Sequence, residues 1–473
     1  MNEQCKAITN KGKQCKRKAL PNEEYCREHL YLKFGELFKK IPFYKKPPFI
    51  IGTILAILAI ILTIYLRGPT KKEMTKIVKE TVQQELEKSN VSPSPPKTYE
   101  EIWKAIGKTC PEVGQAVYDK IKKASEDLDS GRYLQAEASY KTLTDLFPDV
   151  IDLRFNLSGT YYYQNKLSLA EKELREIIRI EPDIYEAHNN LGILLQALKN
   201  YPEAEKEYRA AIKINPDDAF AHNNLGIILK SLKNYPEAEK ECRTAIKLNP
   251  DLAEAHNNLG VLLDELKNYP EAEKEYRIAI KLNPDYADAH NNLGILLQAL
   301  KNYPEAEKEY RTAIKLNPDD AFAHNNLGNL LYALKNYPES EKEYLTAIKI
   351  KPDYAEAHNN LGVLLKALKN YPEAEKEYRT AIKINPDFAE AHNNLGNLLK
   401  SLKNYPEAEK ECRTAIKLNP DYAEAYGNLG LLYIEMGRKE EAKKELQKSK
   451  ELFKKQGKER DVKKAEDILK GLE

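Results

Sequence analysis

A 34-residue stretch, Tyr354–Asp387, recurs almost verbatim from about residue 185 to residue 422. A fixed period of this length constrains the fold more than any other feature of the chain. One unit is too small to bury its own apolar face, so units must stack into an extended, rod-like solenoid. We number the unit with Tyr185 as position 1 and Pro216 as position 32. Apolar or small residues then fall at positions 7, 8, 11, 20, 24, 27 and 28. In the unit at Tyr185 these are Leu191, Gly192, Leu195, Ala204, Tyr208, Ala211 and Ile212. Such spacing gives each unit two amphipathic helices. Asn200-Tyr201-Pro202 separates them and places proline in the first turn of the second helix, where its missing N–H costs nothing. Asn215-Pro216-Asp217 reads as doing the same between units.

Small residues at positions 8, 20 and 27 with proline at 32 resemble the tetratricopeptide repeat, over about residues 117–456. The resemblance implies an all-α, right-handed superhelical solenoid of about ten helix-turn-helix repeats. They would begin at residues 117, 151, 185, 219, 253, 287, 321, 355, 389 and 423. The first two and the last depart from the pattern, as terminal caps facing water do. Residues 99–116 read as a lead-in helix and 457–473 as a polar C-terminal capping helix.

At about 100° per residue, positions 4, 7, 8 and 11 of the first helix share the packed side. Positions 2, 5, 6, 9, 12 and 13 share the other, which the resemblance implies is the concave groove. Position 4 is histidine in seven units: His188, His222, His256, His290, His324, His358 and His392. One per unit, on the core side, they read as packed, hydrogen-bonded residues rather than metal ligands. Cys242 and Cys412 replace tyrosine at position 24 and read as core residues.

Position 6 is asparagine in nine successive units: Asn156, Asn190, Asn224, Asn258, Asn292, Asn326, Asn360, Asn394 and Asn428. Asparagine is a mediocre helix former, so an exposed row of it costs stability. Its amide carries both donor and acceptor and matches a peptide backbone. In family members with a comparable asparagine ladder the row holds extended polypeptides, and the resemblance implies that role here. The alternative is that the Asn-Asn pairs at positions 5 and 6 bond across neighbouring units. Position 2 is acidic in seven units, among them Asp152, Glu186, Glu254 and Glu424, which helix-dipole complementarity explains equally well.

The N-terminal quarter differs. Cys5, Cys15, Cys26 and His29 supply four ligands within residues 1–30, a set suited to one tetrahedral zinc ion. The spacing resembles the three-cysteine, one-histidine motif of the plant WRC domain, although Lys13-Gln14 stands where that family has Trp-Arg. Residues 31–48 mix aromatic and basic side chains, as at a lipid headgroup zone. Residues 49–66 form an 18-residue run without charge, read as a single transmembrane helix. The lysine-rich N-terminal tail and its thiolates favour a cytoplasmic N-terminus. Residues 67–98 read as a charged helical stalk, with a thin apolar stripe suited to weak self-association, then a Pro/Ser linker unable to pack. Thr98 and Glu101 form a capping box for the helix that follows.

Net charge is +2, which excludes bulk attraction to nucleic acid. No phosphate loop or catalytic triad is recognisable, so the chain is not expected to be an enzyme. The expected function is a membrane-anchored scaffold whose groove binds a polypeptide. The alternatives are a regulator with a nucleic-acid-binding zinc module and a non-catalytic subunit of an enzyme complex.

Overall fold

A computed structural model describes residues 96–109 and 115–472. The zinc set at Cys5, Cys15, Cys26 and His29, the apolar run 49–66 and the stalk lie outside the described residues. Among the described residues, no helix is long and apolar enough to cross a membrane, and no group of His, Cys, Asp and Glu is placed to hold a metal ion.

The described chain is all-α. Helix α1 spans Tyr99–Thr109. Ten antiparallel pairs follow: α2 Gln115–Asp129 with α3 Tyr133–Leu146, α4 Ile151–Tyr163 with α5 Leu167–Ile180, α6 Tyr185–Ala197 with α7 Tyr201–Ile214, α8 Ala219–Ser231 with α9 Tyr235–Leu248, and α10 Ala253–Glu265 with α11 Tyr269–Leu282. The remaining pairs are α12 Ala287–Ala299 with α13 Tyr303–Leu316, α14 Ala321–Ala333 with α15 Tyr337–Ile350, α16 Ala355–Ala367 with α17 Tyr371–Ile384, α18 Ala389–Ser401 with α19 Tyr405–Leu418, and α20 Ala423–Glu435 with α21 Lys439–Lys455; α22 Glu459–Lys470 closes the array. From α4 onward the first helix of each pair starts at the unit boundary read from the sequence, whereas α2 starts at Gln115 rather than 117.

First helices of successive repeats touch one another, for example α8 with α10 and α18 with α20, and no pair of second helices makes comparable contact. The first helices are therefore the inner layer and define the concave face. Within a repeat the two helices close on glycine at position 8. An added Cβ on Gly294 would lie 2.7 Å from the Tyr310 ring, so a larger residue there forces the helices apart. Cys242 and Cys412 occupy the same site as that tyrosine and are buried. Burial pushes both thiols up to about 12, which leaves them unreactive core residues.

The turns correct one reading. Pro202 does sit in the first turn of α7, but Pro216 lies beyond the C-cap Asn215, and α8 starts only at Ala219. Pro216 stops one helix; it does not open the next. Between the two helices of a unit, position 15 adopts a left-handed conformation. It is glycine in the first and last repeats, Gly131 and Gly437, but lysine in the central ones, for example Lys301 at φ 63°. A side chain in this region costs about 1–2 kcal/mol, against about 0.5–1 kcal/mol of extra unfolded-state entropy for glycine. Lys301→Gly is therefore expected to stabilise the array by about 0.5–1 kcal/mol, read as a raised urea midpoint at unchanged slope.

Candidate peptide-binding groove

Each histidine at position 4 sits between two acceptors. In α12, His290 Nδ1 is 2.5 Å from Glu309 on α13, and its Nε2 is 3.1 Å from the carbonyl oxygen of Pro284 in the preceding turn. The same clasp recurs at His188, His222, His256, His324, His358 and His392. The packed reading of the histidines is correct, and the glutamate at position 23 is the partner the sequence reading missed. In the repeat at 151 position 4 is Arg154, which donates to Glu173 at 2.7 Å and to the Pro148 carbonyl at 3.0 Å. A residue that always carries two donors and a positive charge fills the same place. The clasp is thus built for a doubly protonated imidazolium.

The asparagines stand differently from the exposed row expected. Asn156 and Asn224 are buried, and the other seven at position 6 are half-buried. From Asn224 onward each donates through Nδ2 to the Oδ1 of position 5 in the preceding repeat. Asn258 donates to Asn223 at 3.0 Å, Asn292 to Asn257 at 3.0 Å and Asn326 to Asn291 at 3.1 Å. Asn224, Asn360, Asn394 and Asn428 do the same. Position 5 is therefore mainly a seam residue rather than a groove residue. Asn223, Asn257, Asn325, Asn359 and Asn393 are buried, and Asn257 and Asn393 also donate to the hydroxyls of Tyr286 and Tyr422, at 3.4 Å. A primary amide has two N–H donors and one carbonyl. The seam bond leaves Asn224, Asn258, Asn292, Asn326 and Asn394 one N–H and the amide oxygen, whereas the oxygens of Asn360 and Asn428 also accept from Asn359 and Asn397 at 3.4 Å. One turn on, position 9 adds half-buried Ile227, Val261 and Val363 and exposed Ile295 to the same face.

Asn156 has no such seam bond, because position 5 of the preceding unit is Ile121. Its amide instead grips backbone. The Lys97 N–H donates to Asn156 Oδ1 at 2.8 Å, and Asn156 Nδ2 donates to the Lys97 carbonyl at 2.7 Å. Pro96 lies beside it in a small cavity of about 40 Å³ lined by Leu128, Phe155, Tyr162 and Asn190. The Pro/Ser linker was expected not to pack; its last two residues do. They are fixed because Thr98 and Glu101 form the capping box of α1 as expected, with bonds of 2.7 and 3.3 Å. Helix α1 in turn buries Ile102 and Ile106 completely and packs on α2 and α4.

The outer layer carries a second seam. Arg243 on α9 pairs with Glu239 in its own helix and with Glu271 of the next repeat at 2.7 Å, and Arg175, Arg209, Arg277, Arg311 and Arg379 repeat this. In the repeat at 321 the position is Leu345, which is exposed.

Models described as TPR repeat or tetratricopeptide repeat match residues 121–179 and, in overlapping segments, 185–455. The chain belongs to the tetratricopeptide-repeat family. No curated protein matches it. Among solved structures, it is similar to YrrB, described as a TPR protein with an unusual peptide-binding site, at 25% identity over 39% of this chain and 95% of that one, with a TM-score of 0.32. It is also similar to PilF of Pseudomonas aeruginosa, at 22% identity over 44% and 94% with a TM-score of 0.39. Yeast Tom70 matches at 15% identity over 75% and 95%, with a TM-score of 0.43.

Proposed function

We propose that the protein is a protein–protein interaction scaffold whose concave face holds an extended polypeptide along the position-6 asparagines. One observation carries this reading: Asn156 already holds extended backbone at one residue, Lys97, by both its N–H and its carbonyl. Further along, the half-buried amides of Asn258, Asn292, Asn326 and Asn394 keep one donor and one acceptor each for the same contact. In this reading residues 49–66 anchor the scaffold in a bilayer, and residues 1–30 carry zinc on Cys5, Cys15, Cys26 and His29 on the cytoplasmic side. Cobalt added to a peptide of residues 1–30 should give the absorption of a tetrahedral thiolate site, and an octahedral spectrum would reject the zinc set.

The groove is tested with two triple variants of the full-length protein that cut the same three seam bonds from opposite sides. The first is Asn258→Ala, Asn292→Ala and Asn326→Ala, which also removes three rungs. The second is Asn223→Ala, Asn257→Ala and Asn291→Ala, which spares them. The ligand is a fluorescent fifteen-residue peptide selected from a random library on the wild-type protein. At about 0.5–1.5 kcal/mol per hydrogen bond, the first variant should lose roughly 2–4 kcal/mol of affinity. The second should keep its affinity. Equal losses would mean the row serves the seam alone.

A further inference from the structure

The Lys97 side chain also has a place in the groove. Its Nζ lies 3.5 Å from Glu186, the position-2 acid of the next repeat, and 5.5 Å from the centre of the Phe155 ring. At the opposite end of the array a second lysine of the chain does the same. Lys458, at the start of α22, pairs with Glu424 at 2.8 Å, the position-2 acid of the last repeat. Lysines from outside these repeats thus meet two members of the acidic row, Glu186, which follows Asp152, and Glu424, which is the last. Between them Glu254, Glu356 and Glu390 form no ion pair among the described residues, and they stand on the same helix face as the asparagine rungs. A helix dipole accounts for acids in a first turn, but not for Lys97, brought to Glu186 from 89 residues away in the chain.

Resting on the groove reading above, we propose that Pro96-Lys97 is a resident ligand of the groove's first rung, and that the groove's partner is an extended polypeptide bearing lysine or arginine that competes with it. The backbone of the partner is held by an asparagine amide as Lys97 is held by Asn156. Its cationic side chain meets the position-2 acid of the following repeat as Lys97 meets Glu186. Release of the resident segment requires movement only up to Lys97, since the Thr98–Glu101 box and the buried Ile102 and Ile106 keep α1 in place. The proposal thus includes an autoinhibitory contact: the chain covers its own first rung until a better ligand arrives.

The test uses the full-length protein and a fluorescein-labelled peptide of residues 89–98 (SNVSPSPPKT), with a counterpart carrying glutamate for lysine. Lys97→Pro removes the N–H that donates to Asn156 and the side chain that meets Glu186, and leaves both groove residues intact. It should bind the lysine peptide at least tenfold more tightly than the wild type. Adding Glu186→Lys should abolish that gain for the lysine peptide and raise binding of the glutamate peptide. Adding Asn156→Ala should abolish binding of both, and circular dichroism checks that the helices persist, since Asn156 also donates to the Tyr140 hydroxyl at 3.0 Å. Unchanged affinity in Lys97→Pro, or no preference between the two peptides there, overturns the proposal. Loss of affinity in the Asn258, Asn292 and Asn326 variant alongside that result would leave the groove reading standing and sink only this one.

Discussion

Glu309→Ala should destabilise the array by about 3–5 kcal/mol, the usual cost of removing one partner from a buried charged pair. Glu309 and His290 are each less than a tenth exposed, and the ring's other nitrogen is already committed to the Pro284 carbonyl. Without the carboxylate the imidazolium either stays charged and unpaired or loses its proton and the bond that proton made. Glu309→Gln keeps an acceptor of the same shape and loses only the charge. A neutral hydrogen bond contributes about 0.5–1.5 kcal/mol against about 1.5–3 for a charged one, so this variant should cost roughly 1–1.5 kcal/mol. Because a solenoid repeat contacts only its neighbours, the damage should be local. Amide exchange should accelerate in α12, α13 and their neighbours and change little in α4 or α20. A cost below 1 kcal/mol for Glu309→Ala, or uniform acceleration, would show that the clasp is packing without an ion pair.

The period made the helices and the core legible, because glycine at 8, alanine at 20 and 27 and tyrosine at 24 describe a close approach of two helices. What the period could not show is the contact between units. Rotating one helix at 100° per residue places positions 5 and 6 on the same side, yet the next repeat covers position 5 and leaves position 6 half open. A two-residue asparagine pair at fixed spacing was the available signal for a seam, since each amide had a twin 35 residues earlier. The glutamate partner of the histidines was hidden for a related reason. Position 23 lies in a run of alternating Glu and Lys that reads as solvated helix surface, and only the position of the facing helix shows that one of its acids is buried. Arg154 was the visible clue, a cation at position 4 in a unit without histidine. Lys97 was missed because its linker composition argues against packing, while the capping box immediately after it fixes where those residues must lie.

Raising the pH from 6.5 toward 8.5 should lower the urea midpoint of the array. At His188 the bond to Glu207 lifts the ring's pKa above its ordinary 6.5 against the opposing effect of burial. At His222, His290, His324 and His392 burial pulls it down, but the bonds to glutamate and to the proline carbonyl together outweigh that pull. A group whose pKa is raised on folding binds its proton more tightly in the native state. Its contribution is therefore complete below 6.5 and is lost as the pH climbs through the folded value. On the acid side the sign reverses. Glu241 is held below its usual 4.5 mainly by the bond to His222, so its contribution is lost as the pH falls below that range. Cys242 and Cys412, pushed up to about 12, stay protonated in the folded chain throughout this window. Arg154 supplies the control, since it fills the same clasp with a guanidinium, a side-chain type that stays charged in proteins. Urea unfolding at pH 6.0, 7.2 and 8.5, at constant ionic strength, should show a falling midpoint for the wild type. A variant carrying His222→Arg, His290→Arg and His324→Arg should show a shallower fall, because three of the clasps have lost their dependence on the proton. A wild-type midpoint that rises over this range, or a variant that falls as steeply as the wild type, would mean that the imidazoles are neutral in the folded array and that the arginine at 154 is a substitution of shape alone.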